Sequence, residues 1–380
     1  MRWKRILIGL VAAMLLFVVA VLGMVRATMG GRGADFPDRS TPPRLGAEAL
    51  EVVATLDEPP GNVAVSASGR VFVSIHPESH PAFLRVAEIV DGDLVPYPDD
   101  EAQRTEMSAV LGVAVDRQER LWVLDSGGQG MGPRLLGIDL STDQITYRHD
   151  FPPPIAHKGS FLNDLQVDPE GVTVYIADTS IIGRRPAIVV HDLETGTSRR
   201  VLEKHPSVVA QKWLIRAPGR DMVYWGGLVA LRPNVDSIGL DRDGEWLYYA
   251  PMSHERMFRV RTRDLRDPAL SADALGARVE DFGPKPQSDG LSTDLAGNIY
   301  ITDVEHSAIC VLGQDRALFT LIRDPRMRWP DGLSYGPDDW LYVTDSVIQH
   351  LVFQSPEHIL AQAPFQVFRF RPGEPGVPGQ

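Results

Sequence analysis

One cysteine, Cys310, stands alone in 380 residues, which excludes an internal disulfide and leaves the fold to packing. It lies in the apolar run SAICVLG and reads as a buried, inert thiol. Positive charge is also short: 38 Lys and Arg against 50 Asp and Glu give a net charge of -12. That balance repels nucleic acid and anionic membrane surfaces and argues against a DNA or RNA partner. Serine-hydrolase, phosphate-loop, dinucleotide and thiolate-zinc motifs are all missing.

Long apolar runs are absent as well, with one exception. Arg2, Lys4 and Arg5 precede the apolar residues 6–25, a 20-residue stretch close to the roughly 20 that span a bilayer. Residues 1–29 therefore read as a signal peptide or signal anchor, with the basic flank in the cytoplasm and the remainder exported to a periplasmic or extracellular space. The length favours a retained anchor; Val25 and Ala27 are small enough to leave cleavage after Ala27 open. Residues 30–49, rich in Gly, Pro and charge, read as a flexible linker, and residues 373–380 as a disordered tail.

What is present between them, over residues 50–372, is repetition. Six segments share one pattern: VAVSASGRVFVSI at 63, VAVDRQERLWVLD at 113, LQVDPEGVTVYIAD at 165, IGLDRDGEWLYYAP at 238, LSTDLAGNIYITD at 291 and LSYGPDDWLYVTD at 333. Each is a strand, a turn of Asp, Pro and Gly, and a second apolar strand, which makes a β-hairpin. Further strands follow most hairpins, as in AIVVHDL and SRRVLE. Four strands per unit of about 40 to 50 residues predict an all-β, six-bladed β-propeller. The recurring Phe72, Trp122, Tyr175, Tyr248, Tyr300 and Tyr342 read as packing between neighbouring sheets. The sixth repeat has one clear strand after its hairpin, FQVFRFR, so the N-terminal LEVVATLD is expected to complete that blade and close the ring.

The residue that opens each inner strand lies at one rim of the channel: Gly61, Leu111, Asn163, Asp236, Asp289 and Asp331. Asn163, Asp236, Asp289 and Asp331 are thus expected to form one ligand-binding site. Gathered carboxylates repel unless a cation, a basic ligand or shared protons offset them, and hard oxygens suit calcium or another divalent cation. Asp289 is the candidate acid or base. Loops after the second strands lie on the same mouth and bring His254, His306 and His350 near it, His306 being the candidate catalytic histidine. Asp125, Asp178, Asp303 and Asp345 end those strands and read as turn residues. Residues 204–235, the longest insertion, carry Trp213 and Trp225 and are either a lid or an elongated outer strand.

The runs PPGNVAVSASGRVFVS, GVAVDRQERLWVLDSG, FLNDLQVDPEGVTVYIADT, SDGLSTDLAGNIYITDVEHSAI and RMRWPDGLSYGPDDWLYVTD resemble, in order and number, the yellow/major royal jelly protein family in its bacterial, dopachrome-tautomerase-related branch. The resemblance spans about residues 50–371 and implies a secreted six-bladed propeller whose channel in some members binds aromatic amines. A more distant likeness is to the gluconolactonase, regucalcin and paraoxonase propellers, which hold a divalent metal on the axis. Their metal-binding positions are matched by Asn163, Asp236 and Asp289, but Gly61 stands where they have an acidic ligand. Asp331 offers a charge from another blade. The propeller is expected to be monomeric, and the resemblances imply that it binds, and in an enzyme converts, a small molecule, either as a dopachrome-type isomerase or as a metal-dependent lactonase. A protein-binding scaffold is the third reading.

Overall fold

The computed structural model describes residues 2–128 and 130–380; Met1, at the start of the segment expected to be a signal peptide or anchor, and Gln129 of the loop DSGGQGMGP lie outside them. Six four-stranded antiparallel sheets form the blades. Their innermost strands are Pro60–Val65, Val110–Val115, Leu162–Val167, Val235–Leu240, Leu291–Thr293 and Pro330–Tyr335, and these contact one another in cyclic order. The chain is a six-bladed β-propeller. The recurring aromatics are buried: Trp122 packs among Leu165, Val174 and Ile176 of the next blade, and Phe72 among Val113 and Val123. Continuous apolar strands are what burial on both sheet faces requires.

Ring closure follows the expected route. Glu51–Leu56 is the outermost strand of the sixth blade and pairs antiparallel with Phe365–Phe370, Glu51 opposite Arg369 and Leu56 opposite Phe365. No outer edge is left on Phe365–Phe370.

Both segments expected to be loose are instead laid on the propeller. Thr41 and Thr320 exchange backbone-to-hydroxyl hydrogen bonds of 3.0 and 2.9 Å, and the Arg44 and Leu45 amides donate to the Leu321 carbonyl. The reason is that Leu318–Arg323 is an outer strand with free backbone groups, which residues 41–45 satisfy. At the other end, Leu295 donates to the Pro375 carbonyl, Tyr335 to that of Gln380, and Gly379 to that of Tyr335. These bonds carry residues 375–380 across the end of the channel remote from the acidic rim. Gly379 approaches the Val115 carbonyl so closely, with φ +91°, that a side chain there would collide with it.

Five inner strands carry a register shift at the rim, at 60/63, 110/113, 162/165, 235/238 and 330/333. Each is a β-bulge of two residues opposite one. In the first and sixth blades a hydroxyl fills the gap: Thr344 Oγ1 accepts from the Gly332 amide (3.0 Å) and donates to the Gly61 carbonyl (2.6 Å), and Ser74 Oγ accepts from the Asn62 amide; in the fifth blade, whose strand pairing shows no such shift, Thr302 Oγ1 accepts from the Asp289 amide just before the inner strand. Replacing Thr344 by Val leaves the buried Gly332 amide unpaired and the Gly61 carbonyl with only the longer bond from Ser346 Oγ (3.3 Å), and is expected to cost about 1–3 kcal/mol, read as a lower urea midpoint at unchanged slope. A midpoint equal to that of the unaltered protein would contradict this role.

Candidate functional site

An unbroken strand alternates faces and would present one residue per blade to the channel. The bulges present two. Asn62, Asn163, Asp164, Asp236, Asp289 and Asp331 therefore converge on the floor of one cavity, with Leu111 and Gly112 between them. Asn62 Nδ2 donates to Asp164 Oδ1 at 2.6 Å, Asn163 Nδ2 to Asp236, Thr179 Oγ1 to Asp236 at 3.2 Å, and Ser346 Oγ to Asp331.

The four carboxyls do not behave alike. Burial, then the Asp289 charge, pushes Asp164 up to about 8. Asp236 and Asp331 are held well above the usual carboxylate range by burial and by Asp289. Burial raises Asp289 as well, but only to about 6, because the Trp329 indole donates to its Oδ2 at 2.6 Å and a hydrogen bond from Asp236 and the charge of Lys285 favour its anion. Burial thus favours the protonated forms of Asp164, Asp236 and Asp331, while Asp289 is the floor carboxyl whose anion the Trp329 indole and Lys285 favour. Lys285 lies behind it, fully buried, donating to the Met252 and Pro286 carbonyls and to Ser288 Oγ, and burial brings it down to about 7.

Above this floor the walls are apolar. Phe161, Ile181, Tyr224, Leu231, Ile348 and Val352 enclose a cavity of about 460 Å³, within the range of small-molecule sites. Residues 204–235 supply part of that wall. They form the paired strands Arg216–Ala217 with Arg220–Asp221 and Val223–Tyr224 with Val229–Ala230, and pack through Ile215, Met222 and Tyr224 against Trp329, Ile348 and Val352. The insertion is therefore a cover on the mouth, not an extended outer strand. Trp225 at its tip stacks on Phe353 with ring centroids 4.7 Å apart.

Five of the six blades thus give the rim a carboxylate or an amide, and the second gives Leu111 and Gly112. The profile of the major royal jelly protein family matches residues 108–335. The chain belongs to that family. It is similar to major royal jelly protein 6 of Apis mellifera, 27% identical over 185 residues, covering 44% of this chain and 39% of that protein. Protein yellow of Drosophila subobscura is 26% identical over 205 residues, covering 48% and 34%. The chain thus aligns with well under half the length of these curated relatives. Among solved structures, a gluconolactonase of Xanthomonas campestris superposes with a TM-score of 0.53 at 16% identity, covering 90% of this chain and 98% of that one. This last likeness is one of fold.

In this royal jelly-type propeller the four expected rim residues, Asn163, Asp236, Asp289 and Asp331, do meet at one cavity. His306 does not. It is tied to Asp303 at 2.9 Å, with Asp38 at 3.5 Å, and its proton affinity is raised by that hydrogen bond, outside the cavity lining. His254 packs edge-on to Phe258, and His350 pairs with His358. The histidine that does line the cavity is His76, buried and pushed down to about 4. It follows the second strand of the first blade, the same loop position that drew attention to the others. Asp125 accepts from the Ser108 and Ala109 amides, Asp178 from that of Phe161 and Asp345 from that of Trp329. These strand-end aspartates clamp the approach to each inner strand, a turn role. Asn62, Asp164 and Trp329 are further floor residues that strand alternation alone does not reveal.

The donors suit a hard cation only in part. Asn163, Asp236 and Asp289 would hold one, and it would polarise a substrate carbonyl. But the Asn163 amide turns its NH2 toward Asp236 and would have to flip, and Gly61 leaves the first blade without a ligand. Among the described residues no three His, Cys, Asp or Glu side chains are spaced to share an ion.

Proposed function

We propose that this protein, held outside the cytoplasm by its N-terminal helix, binds a small molecule with a cationic or proton-donating head on Asp289 and an apolar or aromatic body against the lid. The division of the cavity into an acidic floor and apolar walls carries this reading. In a converting reaction Asp289 is the group able to take a proton, being the floor carboxyl that ionises near neutral pH. The alternative is a divalent-metal-dependent lactonase, favoured by one observation: carboxyls that raise one another's proton affinity are relieved by a cation.

Thermal melts decide between them. A ligand present at 100 times its dissociation constant adds about 2.7 kcal/mol to the folded state. Asp289→Asn, which keeps an oxygen for the Trp329 indole, is expected to abolish most of that gain while leaving the unliganded melt nearly unchanged; His306→Ala, outside the cavity, is expected to keep it. A panel of amines and catechols tests the first reading, and calcium, magnesium, chelator and lactones test the second. If no additive shifts the unaltered protein, or Asp289→Asn shifts equally, the cluster is structural.

A further inference from the structure

We propose that the lidded mouth of the cavity is seated on the surface of the bilayer that the N-terminal helix enters, with Ile182, Trp225 and Phe353 in the lipid interface. This rests on the anchoring reading above.

The helix, Arg2–Met29, is exposed throughout its apolar stretch and touches the propeller only at its last turn. That turn is bound to the tip of the lid. Gly31 donates to the Gly227 carbonyl at 2.9 Å, the Arg26 guanidinium to that of Gly226, and the Arg184 guanidinium to that of Thr28 at 2.8 Å. Residues 225–227, all at positive φ, form that tip. The apolar stretch ends at Val25, and from there to Met29 a helix rises about 6 Å. Headgroup layers are of similar thickness, about 5–8 Å on each side of a hydrocarbon core of about 30 Å. A spanning helix therefore leaves no slack: it fixes Trp225 at headgroup depth, where tryptophan is favoured.

The mouth is built for such contact. Ile182 is 78% exposed, Trp225 62% and Phe353 57%, all on one rim and without protein to cover them. The chain as a whole carries a charge of -12 and Glu78 stands in the cavity lining, but the exposed bases Arg184 and Lys212 lie beside this opening, where they can meet anionic headgroups. A molecule reaching the acidic floor then passes between lipid and lid, so the ligand class is an amphiphile that partitions into the facing leaflet, its polar head entering first.

Because Cys310 is buried, a single introduced cysteine can be labelled in the full chain. Ile182→Cys, Phe353→Cys and, on the turn at the opposite end of the fourth blade, Asp243→Cys are labelled with a nitroxide in vesicles of phosphatidylcholine and phosphatidylglycerol. Labels at 182 and 353 are expected to be relaxed more by oxygen than by a water-soluble nickel chelate, and the label at 243 the reverse. If all three favour the chelate, the seating is wrong. An alkaline carbonate wash separates the causes: protein that stays with the vesicles while its labels remain aqueous overturns the seating alone, and protein that washes off overturns anchoring as well. Ligand binding, read from the Asp289→Asn melts in detergent, stands apart from both outcomes.

Discussion

Deletion of residues 50–57 is expected to abolish the cooperative melt of the propeller, whereas removal of residues 1–40 leaves a soluble domain melting within a few degrees of the full chain. The first change takes away a whole ladder from Glu51↔Arg369 to Leu56↔Phe365, together with Leu50, Ala54 and Leu56 from two core clusters. Burial lost on that scale is on the order of 5 kcal/mol or more, comparable with the 5–15 kcal/mol that holds a domain. It also bares Phe365–Phe370 as an open edge in an apolar strand, a template for aggregation. The second change removes an exposed helix, the short pairing of Ala34–Asp35 with Trp213–Leu214, the edge contact of Phe36 with Trp213, and the surface ion pairs of Arg32 with Asp221, Asp35 with Arg216, Asp38 with His306 and Arg39 with Glu255. Surface ion pairs are worth little, about 0–1 kcal/mol. Circular dichroism melts of both truncations check the claim, and equal melting temperatures would remove the closure argument.

Asp164→Asn is expected to be more stable than the unaltered protein at pH 8 in the presence of chelator, by an amount that vanishes near pH 4. The unaltered Asp164 has its proton affinity raised from 3.8 to about 8, so between those values the folded state binds a proton that the unfolded state has lost. Stability is then fully present below about 4 and is lost as pH rises to about 8. At about 1.4 kcal/mol per tenfold change in affinity, the gap is on the order of 5 kcal/mol. The substitution keeps an oxygen for Asn62 Nδ2, so little is lost in exchange. Comparing variant with unaltered protein matters because other buried groups titrate too. His76, His191 and His254 are pushed down to about 4 and make stability rise with pH between about 4 and 6.5; Lys285, pushed down to about 7, does so from about 7 to 10.5. Those contributions cancel in the difference. A gap that stays flat from pH 4 to 8 would mean that Asp164 is not buried as described, and a gap closed by added calcium would mark a bound cation.

The six blades were legible because each hairpin repeats a turn of Asp and Gly between strands whose burial pattern admits one architecture. The closing strand followed from counting strands in the last repeat. At the rim, Asn163, Asp236, Asp289 and Asp331 were legible from their place before each inner strand. Asn62 and Asp164 were not, because strict alternation turns the neighbour of a channel residue away, and a two-for-one bulge leaves no mark in composition. His306 misled because a loop position shared with the mouth does not say which way a side chain turns; its ring is held by Asp303 and stays out of the cavity lining. The docked linker and tail were hidden for a related reason. Segments rich in Gly and Pro lack periodicity whether they are free or hydrogen-bonded to a neighbouring edge.

The crossing of residues 375–380 over the remote end of the channel makes the cavity a blind well instead of a tunnel. In a tunnel, solvent can drain ahead of an entering molecule. In a well, every water displaced from the floor must escape past the molecule that displaces it, and whatever enters leaves by the same door. Residues of the door that never touch the bound molecule then act on the speed of entry and of escape by the same factor. For a ligand held as proposed above, their substitution is expected to change how long the site takes to fill and to empty, while an affinity set at the floor stays where it was.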